Sequence, residues 1–156
     1  MRCYADSSFI VKLISFEPDT ESAIAEFRRL ECPRLPLLAL HELEIRNAIL
    51  HKAWHQQQSL PSRERAHIER EKQTARAKME RMAQRGSFQR ISPDWEDIFE
   101  RAERLAEAHT ERRGARAYDI LHVAASLRLE CDCFLSLDER QVEVARAEGL
   151  KVSTRR

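Results

Sequence analysis

The chain has 156 residues, of which 42% are hydrophobic, and its 27 Lys and Arg nearly balance its 26 Asp and Glu. This suits one domain spanning residues 1–156 and leaves too little chain for two comfortable cores. No run approaches the roughly 18 apolar residues of a membrane span. The N-terminus lacks the pattern of a secretory signal, so a cytoplasmic protein is expected.

With only three glycines and five prolines, the composition favours helices over a turn-rich β sandwich. Four cysteines fit a reducing compartment: Cys3 and Cys32 stand alone, and Cys131 and Cys133 are two apart, a spacing that on a strand puts both thiols on one face. Buried, reduced thiols are the expectation. His51 and His55 have helical zinc-site spacing, but "HKAWH" lacks the Glu of HExxH, so a solvated pair is expected.

Charge is uneven along the chain. Residues 1–50 carry six Lys/Arg against eight Asp/Glu, residues 51–90 ten against four, and residues 91–156 eleven against fourteen. An acidic body with a basic arm at about 51–90 follows.

In chain order, residues 2–5 read as a short buried strand ending on Asp6. Ser7 or Ser8 is placed to cap a helix through Phe9, Ile10, Leu13 and Ile14 that stops at Pro18. The spacing of Ala23, Ile24, Phe27 and Leu30 predicts a helix over 20–31. Pro33 and Pro36 then bracket a second short strand in "LPLL".

Two long helical runs follow, 39–58 and 62–85, broken by "LPSR" and closed by Gly86; they predict a helical hairpin. The apolar stripe of the second run (Ile68, Ala75, Met79, Met82) is narrow, as suits one neighbouring helix or a partner. In "SPDWED", Ser92 reads as an N-cap, with the acids that follow at the positive end of a helix running to about His109. After a loop at "RRGAR", "AYDILHVAASLRLE" is an all-round apolar helix, hence buried. "CDCFLSLDERQVEVARAEGLKVST" then gives strand, helix, a stop at Gly149 and a last strand.

Apolar strands alternating with helices predict a three-layer α/β/α fold with a mostly parallel central sheet, whose ligands sit at the carboxyl ends of the strands. Two strands, "RCYA" and "CFLSL", end on Asp6 and Asp138. Glu42 has Leu38, Ile45 and Ile49 at offsets −4, +3 and +7, which sets it on an apolar stripe, with Glu44 facing elsewhere. Asp119 opens the buried helix. Each acid alone fits an ion pair or a helix start. Four together call for a cation, and an all-oxygen donor set suits Mg²⁺ or Mn²⁺ rather than zinc.

The segments "YADSSFIVKLI", "LALHELEIRNAI" and "RAYDILHVAASLRLECDCFLSLDERQVEVARAEGLKV" together resemble the PIN-domain family, and most closely the VapC-type toxins of toxin–antitoxin pairs. The resemblance places the family's four acids on Asp6, Glu42, Asp119 and Asp138, with Ser8 and Ser136 as hydrogen-bonding support. It implies a metal-dependent endoribonuclease holding Mg²⁺ or Mn²⁺, an RNA substrate, a small cognate antitoxin and a homodimer. The basic hairpin at 51–90 is longer than compact members carry; its Arg76, Lys78, Arg81 and Arg85 are candidates for holding the RNA backbone, and Met79 and Met82 for association with a second copy or the antitoxin. Two rival readings are a catalytically silent RNA-binding or scaffold module and an α/β phosphohydrolase with Asp6 as nucleophile. The phosphohydrolase pattern wants Asp where this chain has Ser8.

Overall fold

The computed structural model describes residues 1–15 and 20–152, apart from the side chain of Ser62. The predicted helix stop at Pro18 lies outside the described residues. The first half runs β1 (Cys3–Ala5), α1 (Ser7–Ile14), α2 (Thr20–Arg29), β2 (Leu35–Leu37), α3 (Ala39–Ser59), α4 (Arg65–Gln84) and β3 (Phe88–Arg90). The second half runs α5 (Trp95–Arg113), α6 (Ala117–Arg128), β4 (Cys133–Leu135), α7 (Glu139–Ala147) and β5 (Lys151–Val152).

All strand pairings are parallel. β4 lies between β1 and β5, with Ala5 opposite Leu135, and β2 pairs with β3, with Leu37 opposite Arg90. β2 packs beside β1. Parallel strands joined through helices put all their carboxyl ends on one rim. Residue alternation along the strands feeds two apolar clusters: Tyr4 and Phe134 face one with α5, α6 and α7, while Cys3, Ala5, Cys133 and Leu135 face the other with α1, α2 and β2. The mostly parallel α/β reading therefore holds.

β3 was not foreseen, because only Phe88 of its three residues is buried and so strong a polar majority carries no strand signal. The cysteine spacing also reads differently in three dimensions. Cys131 precedes β4 and packs in the first cluster, whereas Cys133 packs in the second. All four thiols are free, and three are buried.

The long hairpin is α3 and α4 joined by a tight turn at Ser62–Glu64. Glu71 on α4 ties the two helices together, accepting from Gln56 of α3 at 2.6 Å with Lys52 of α3 at 3.7 Å; His67, one turn earlier on α4, lies at 3.5 Å. Met79 and Met82 are only partly exposed and pack against the second cluster. The exposed apolar residues of the hairpin are instead Leu43, Leu50 and Trp54 on α3. His51 and His55 are exposed and stack edge-on, as a solvated pair does.

Candidate active site

Asp6 follows the last residue of β1 and holds extended backbone, φ −70° and ψ 169°. Its carboxylate accepts from the Phe9 N–H at 2.8 Å, so Asp6 itself, rather than Ser7 or Ser8, caps α1. Asp94 likewise takes the capping role assigned to Ser92, accepting from the N–H groups of Glu96 and Asp97. An ionised carboxylate is the stronger acceptor at a positive helix end, which explains both reversals.

The Ser8 hydroxyl reaches both oxygens of Asp6, at 2.9 and 2.8 Å, and Ser136 Oγ donates to Oδ2 at 2.8 Å. Ser136 Oγ also accepts the Asp138 N–H at 3.0 Å, so one hydroxyl links the two strand-end acids. Asp138 caps α7 through the Arg140 N–H and is gripped by the Arg140 guanidinium at 2.8 Å. That grip holds its carboxyl below the usual range. Asp119, buried in the first turn of α6, accepts from the Arg116 N–H at 2.8 Å and from Gln141 Nε2 at 3.1 Å. Ser8 and Ser136 thus both bond the Asp6 carboxylate.

Glu42 does not join this cluster. It is exposed and bonded to Arg90 Nε at 2.8 Å. The stripe was phased on Leu38, which is the N-cap of α3 and not part of its helical wheel. The buried face centres on His41 and Ile45. Glu44 is set about 200° round the helix from Glu42, and it is Glu44 that turns inward.

Glu44 accepts from Ser7 Oγ at 2.7 Å and from His122 Nε2 at 2.6 Å, and the Tyr4 hydroxyl donates to His122 Nδ1 at 2.9 Å. Burial pushes the Glu44 carboxyl up, but the His122 and Ser7 bonds outweigh it and leave the group below its ordinary value. Tyr4 and His122 are 0% and 2% exposed. His122 lies one helical turn beyond Asp119. His41, whose Nδ1 accepts from the Leu38 N–H and whose Nε2 donates to the Ala5 carbonyl, pins the start of α3 to the end of β1. Burial drives the pKa of this imidazole down to about 3, so it stays neutral. Sequence reasoning missed Glu44, His122 and Tyr4. The available signal was a pair of histidines, His41 and His122, on otherwise apolar faces.

Asp6 is 1% exposed, and every bond to it comes from an uncharged donor; no Lys or Arg among the described residues pairs with it. Burial pushes its carboxyl up, partly offset by His122, the Phe9 N–H and the two serines. Gln141 Oε1, beside Asp119, is buried without a partner. A buried anion lacking a cation and an orphaned oxygen, amid all-oxygen donors, fit a hard divalent ion. Among the described residues no three of the His, Cys, Asp and Glu side chains converge into a finished cage. Arg140 and Gln141 occupy two of the carboxylates that would complete one.

The model of the PIN domain matches residues 3–147, a span that takes in all of these acids. The chain belongs to the PIN-domain family. This PIN domain is similar in fold to VapBC2 from Rickettsia felis, solved bound to a DNA fragment from its promoter, with a TM-score of 0.60, 12% identity and 98% of each chain covered. It is also similar to FitAcB from Neisseria gonorrhoeae, with a TM-score of 0.58, 14% identity, and 97% of this chain and 96% of that one covered. At these identities the likeness is one of fold. Comparison with curated proteins gives no significant match. No helix of the described PIN domain is long and apolar enough to cross a membrane.

Proposed function

We propose that this PIN domain is a metal-dependent endoribonuclease and the toxin of a toxin–antitoxin pair. The observation that carries the reading is Asp6: a carboxylate almost fully buried at the end of a core strand, bridged to Asp138 and left without a cationic side chain among the described residues. Membership in a family of nucleases supports it, as does the fold shared with VapBC2 and FitAcB.

Asp6, Asp138, Asp119 and Glu44 would hold one or two Mg²⁺ or Mn²⁺ ions, which supply an acidified water and charge neutralisation at the phosphodiester. Glu44 takes the place first assigned to Glu42. Ser8 and Ser136 fix the plane of the Asp6 carboxylate, and Gln141 fixes that of Asp119. The Tyr4–His122 pair holds Glu44 in one rotamer from behind. Arg140 now pairs with Asp138; were an ion to hold that carboxylate instead, the guanidinium charge would be available to the substrate. No protein nucleophile is needed.

RNA is the substrate, with the surplus cations of α4 and its C-cap, among them the exposed Arg76, Arg81 and Arg85 and the half-buried Lys78, attracting its backbone. A cognate antitoxin and a second copy of the chain are the partners, in a cytoplasmic setting. Purified protein incubated with RNA in Mg²⁺ or Mn²⁺ tests the reading. Cleavage that chelator or Asp6→Asn abolishes supports it, whereas RNA binding without cleavage in either metal would assign a silent module.

A further inference from the structure

The rim that carries the acids runs on, away from β4, into a cavity of opposite charge. It measures about 540 Å³ and is lined by Arg46 of α3, Arg76 of α4 and Arg90 at the end of β3, with Glu42 among them and Ile45 and Met79 beneath. All three arginines are exposed. Among the described residues Glu42 engages only Arg90, through a pair whose two side chains are 44% and 71% exposed; Glu80 adds a weaker electrostatic influence on the same guanidinium. Cations thus outnumber acids around the cavity, on three separate elements.

Its place in the fold gives this patch meaning. Arg90 is in register with Leu37, the end of β2, and β2 leads at once into α3, whose His41 bonds the carbonyl of Ala5 beside Asp6. The carboxyl ends of β3, β2 and β1 therefore form one continuous edge. β3 and β2 are hydrogen-bonded neighbours about 4.8 Å apart, and β2 packs beside β1 without ladder bonds, so Arg90 lies on the order of 10 Å from Asp6 along it. A nucleic-acid strand advances about 3.4 Å per nucleotide when helical, so roughly three nucleotides cover that distance.

We propose that the Arg46–Arg76–Arg90 cavity is a phosphate-binding subsite for the RNA flanking the cut, and that Glu42 is a resident competitor which RNA displaces from Arg90. The inference rests on the ribonuclease reading above. Guanidinium forks match phosphate oxygens two at a time, and three of them around a hollow suit a bent backbone better than a single anion. The acidic rim repels every phosphate except the one over the metal, so a strand can lie across it only where neighbouring phosphates meet cations. An exposed Arg–Glu pair is weakly held, which makes Glu42 easy to displace.

The test measures binding of a fluorescent, 2′-O-methylated single-stranded RNA, which keeps the phosphates but resists cleavage, over a range of salt in Mg²⁺. Replacing Arg46, Arg76 and Arg90 together with Gln is expected to weaken binding and flatten the log–log salt slope by about 2, at roughly 0.7 per contact. Arg→Lys at the same sites keeps the slope. Glu42→Gln is expected to bind about two- to five-fold tighter, the reach of an exposed pair. If the triple variant is misfolded by circular dichroism, Arg46→Gln alone carries the test, with an expected loss of about 0.7. An unchanged slope, or a Glu42→Gln protein that binds no tighter, overturns the proposal. So does a triple variant that keeps RNA but loses an oligoglutamate peptide, which would assign the cavity to an acidic protein segment. If wild type cleaves ordinary RNA while the slope stays put, the subsite falls and the nuclease reading stands. If wild type neither binds nor cleaves RNA in Mg²⁺ or Mn²⁺, both fall.

Discussion

The chain Tyr4–His122–Glu44 ties the candidate site to the core, and removing its middle member has a calculable cost. His122→Leu strands the hydroxyl of Tyr4, a residue with no exposed surface, and takes away the 2.6 Å bond to Glu44, which keeps only its Ser7 bond. A buried unsatisfied group costs about 1–3 kcal/mol. Because Glu44 is half-buried and retains a partner, its share is the smaller, and the whole loss is about 2–4 kcal/mol. At roughly 2–4 °C per kcal/mol for a chain of this size, Tm falls by about 5–15 °C. Tyr4→Phe leaves only His122 Nδ1 without a donor and costs about 1–2 kcal/mol. The double variant loses the Tyr–His bond once and strands no hydroxyl, so it is less destabilised than the sum of the singles by about 1–2 kcal/mol. Urea unfolding of all four proteins measures this coupling. Additivity within about 0.5 kcal/mol would refute the network as drawn. Cleavage should fall further in His122→Leu than in Tyr4→Phe, since only the former releases Glu44.

Three further outcomes are expected. Asp6→Asn removes a carboxyl whose folded pKa is raised by burial: its protonated form stabilises below the ordinary carboxylate range, and that contribution is lost as pH rises through the folded value. The variant is therefore expected to gain on wild type with rising pH and to lose the advantage on acidification, as thermal melts across pH will show, while its cleavage is abolished. Glu44→Gln should abolish cleavage and Glu42→Gln should cleave at least as fast as wild type; single-turnover assays that reverse this order would return the metal role to Glu42. Saturating Mn²⁺ at about 100 times its Kd should stabilise wild type by about 2.7 kcal/mol and leave an Asp6→Asn/Asp138→Asn protein almost unmoved; equal shifts in both would place the ion elsewhere.

How far the sequence could be read differs from residue to residue. The placement of Asp6 and Asp138 beyond strand ends and of Asp119 in a buried helix was legible because each interrupts or ends a strongly apolar run, where a charge stands out. Glu42 and Glu44 sit two apart on a helix that is polar at one end and half-buried along its length, so the choice between them turned on the phase of the wheel. Leu38, apolar and buried yet lying before the first helical turn, shifted that phase. The caps were misjudged for a related reason: hydroxyl and carboxylate residues adjoin at both helix starts, and only geometry shows which oxygen reaches the free N–H groups. The Arg90–Glu42 pair, 48 positions apart, depends on β3 joining β2, a strand with one buried residue and no pattern to reveal it.

The parallel pairing of β1 with β4 also bears on the protein's own synthesis. Cys3 meets Cys133, and the Ser136 hydroxyl meets Asp6, 130 positions apart. Until residues 133–138 have left the ribosome, the first strand has no β4 beside it, and Asp6 has neither its bridge nor its neighbouring acid. Contacts so distant in sequence form late. On the ribonuclease reading proposed above, the site would be assembled only after the stretch of message encoding it has been read, and an antitoxin made alongside would have that interval in which to arrive.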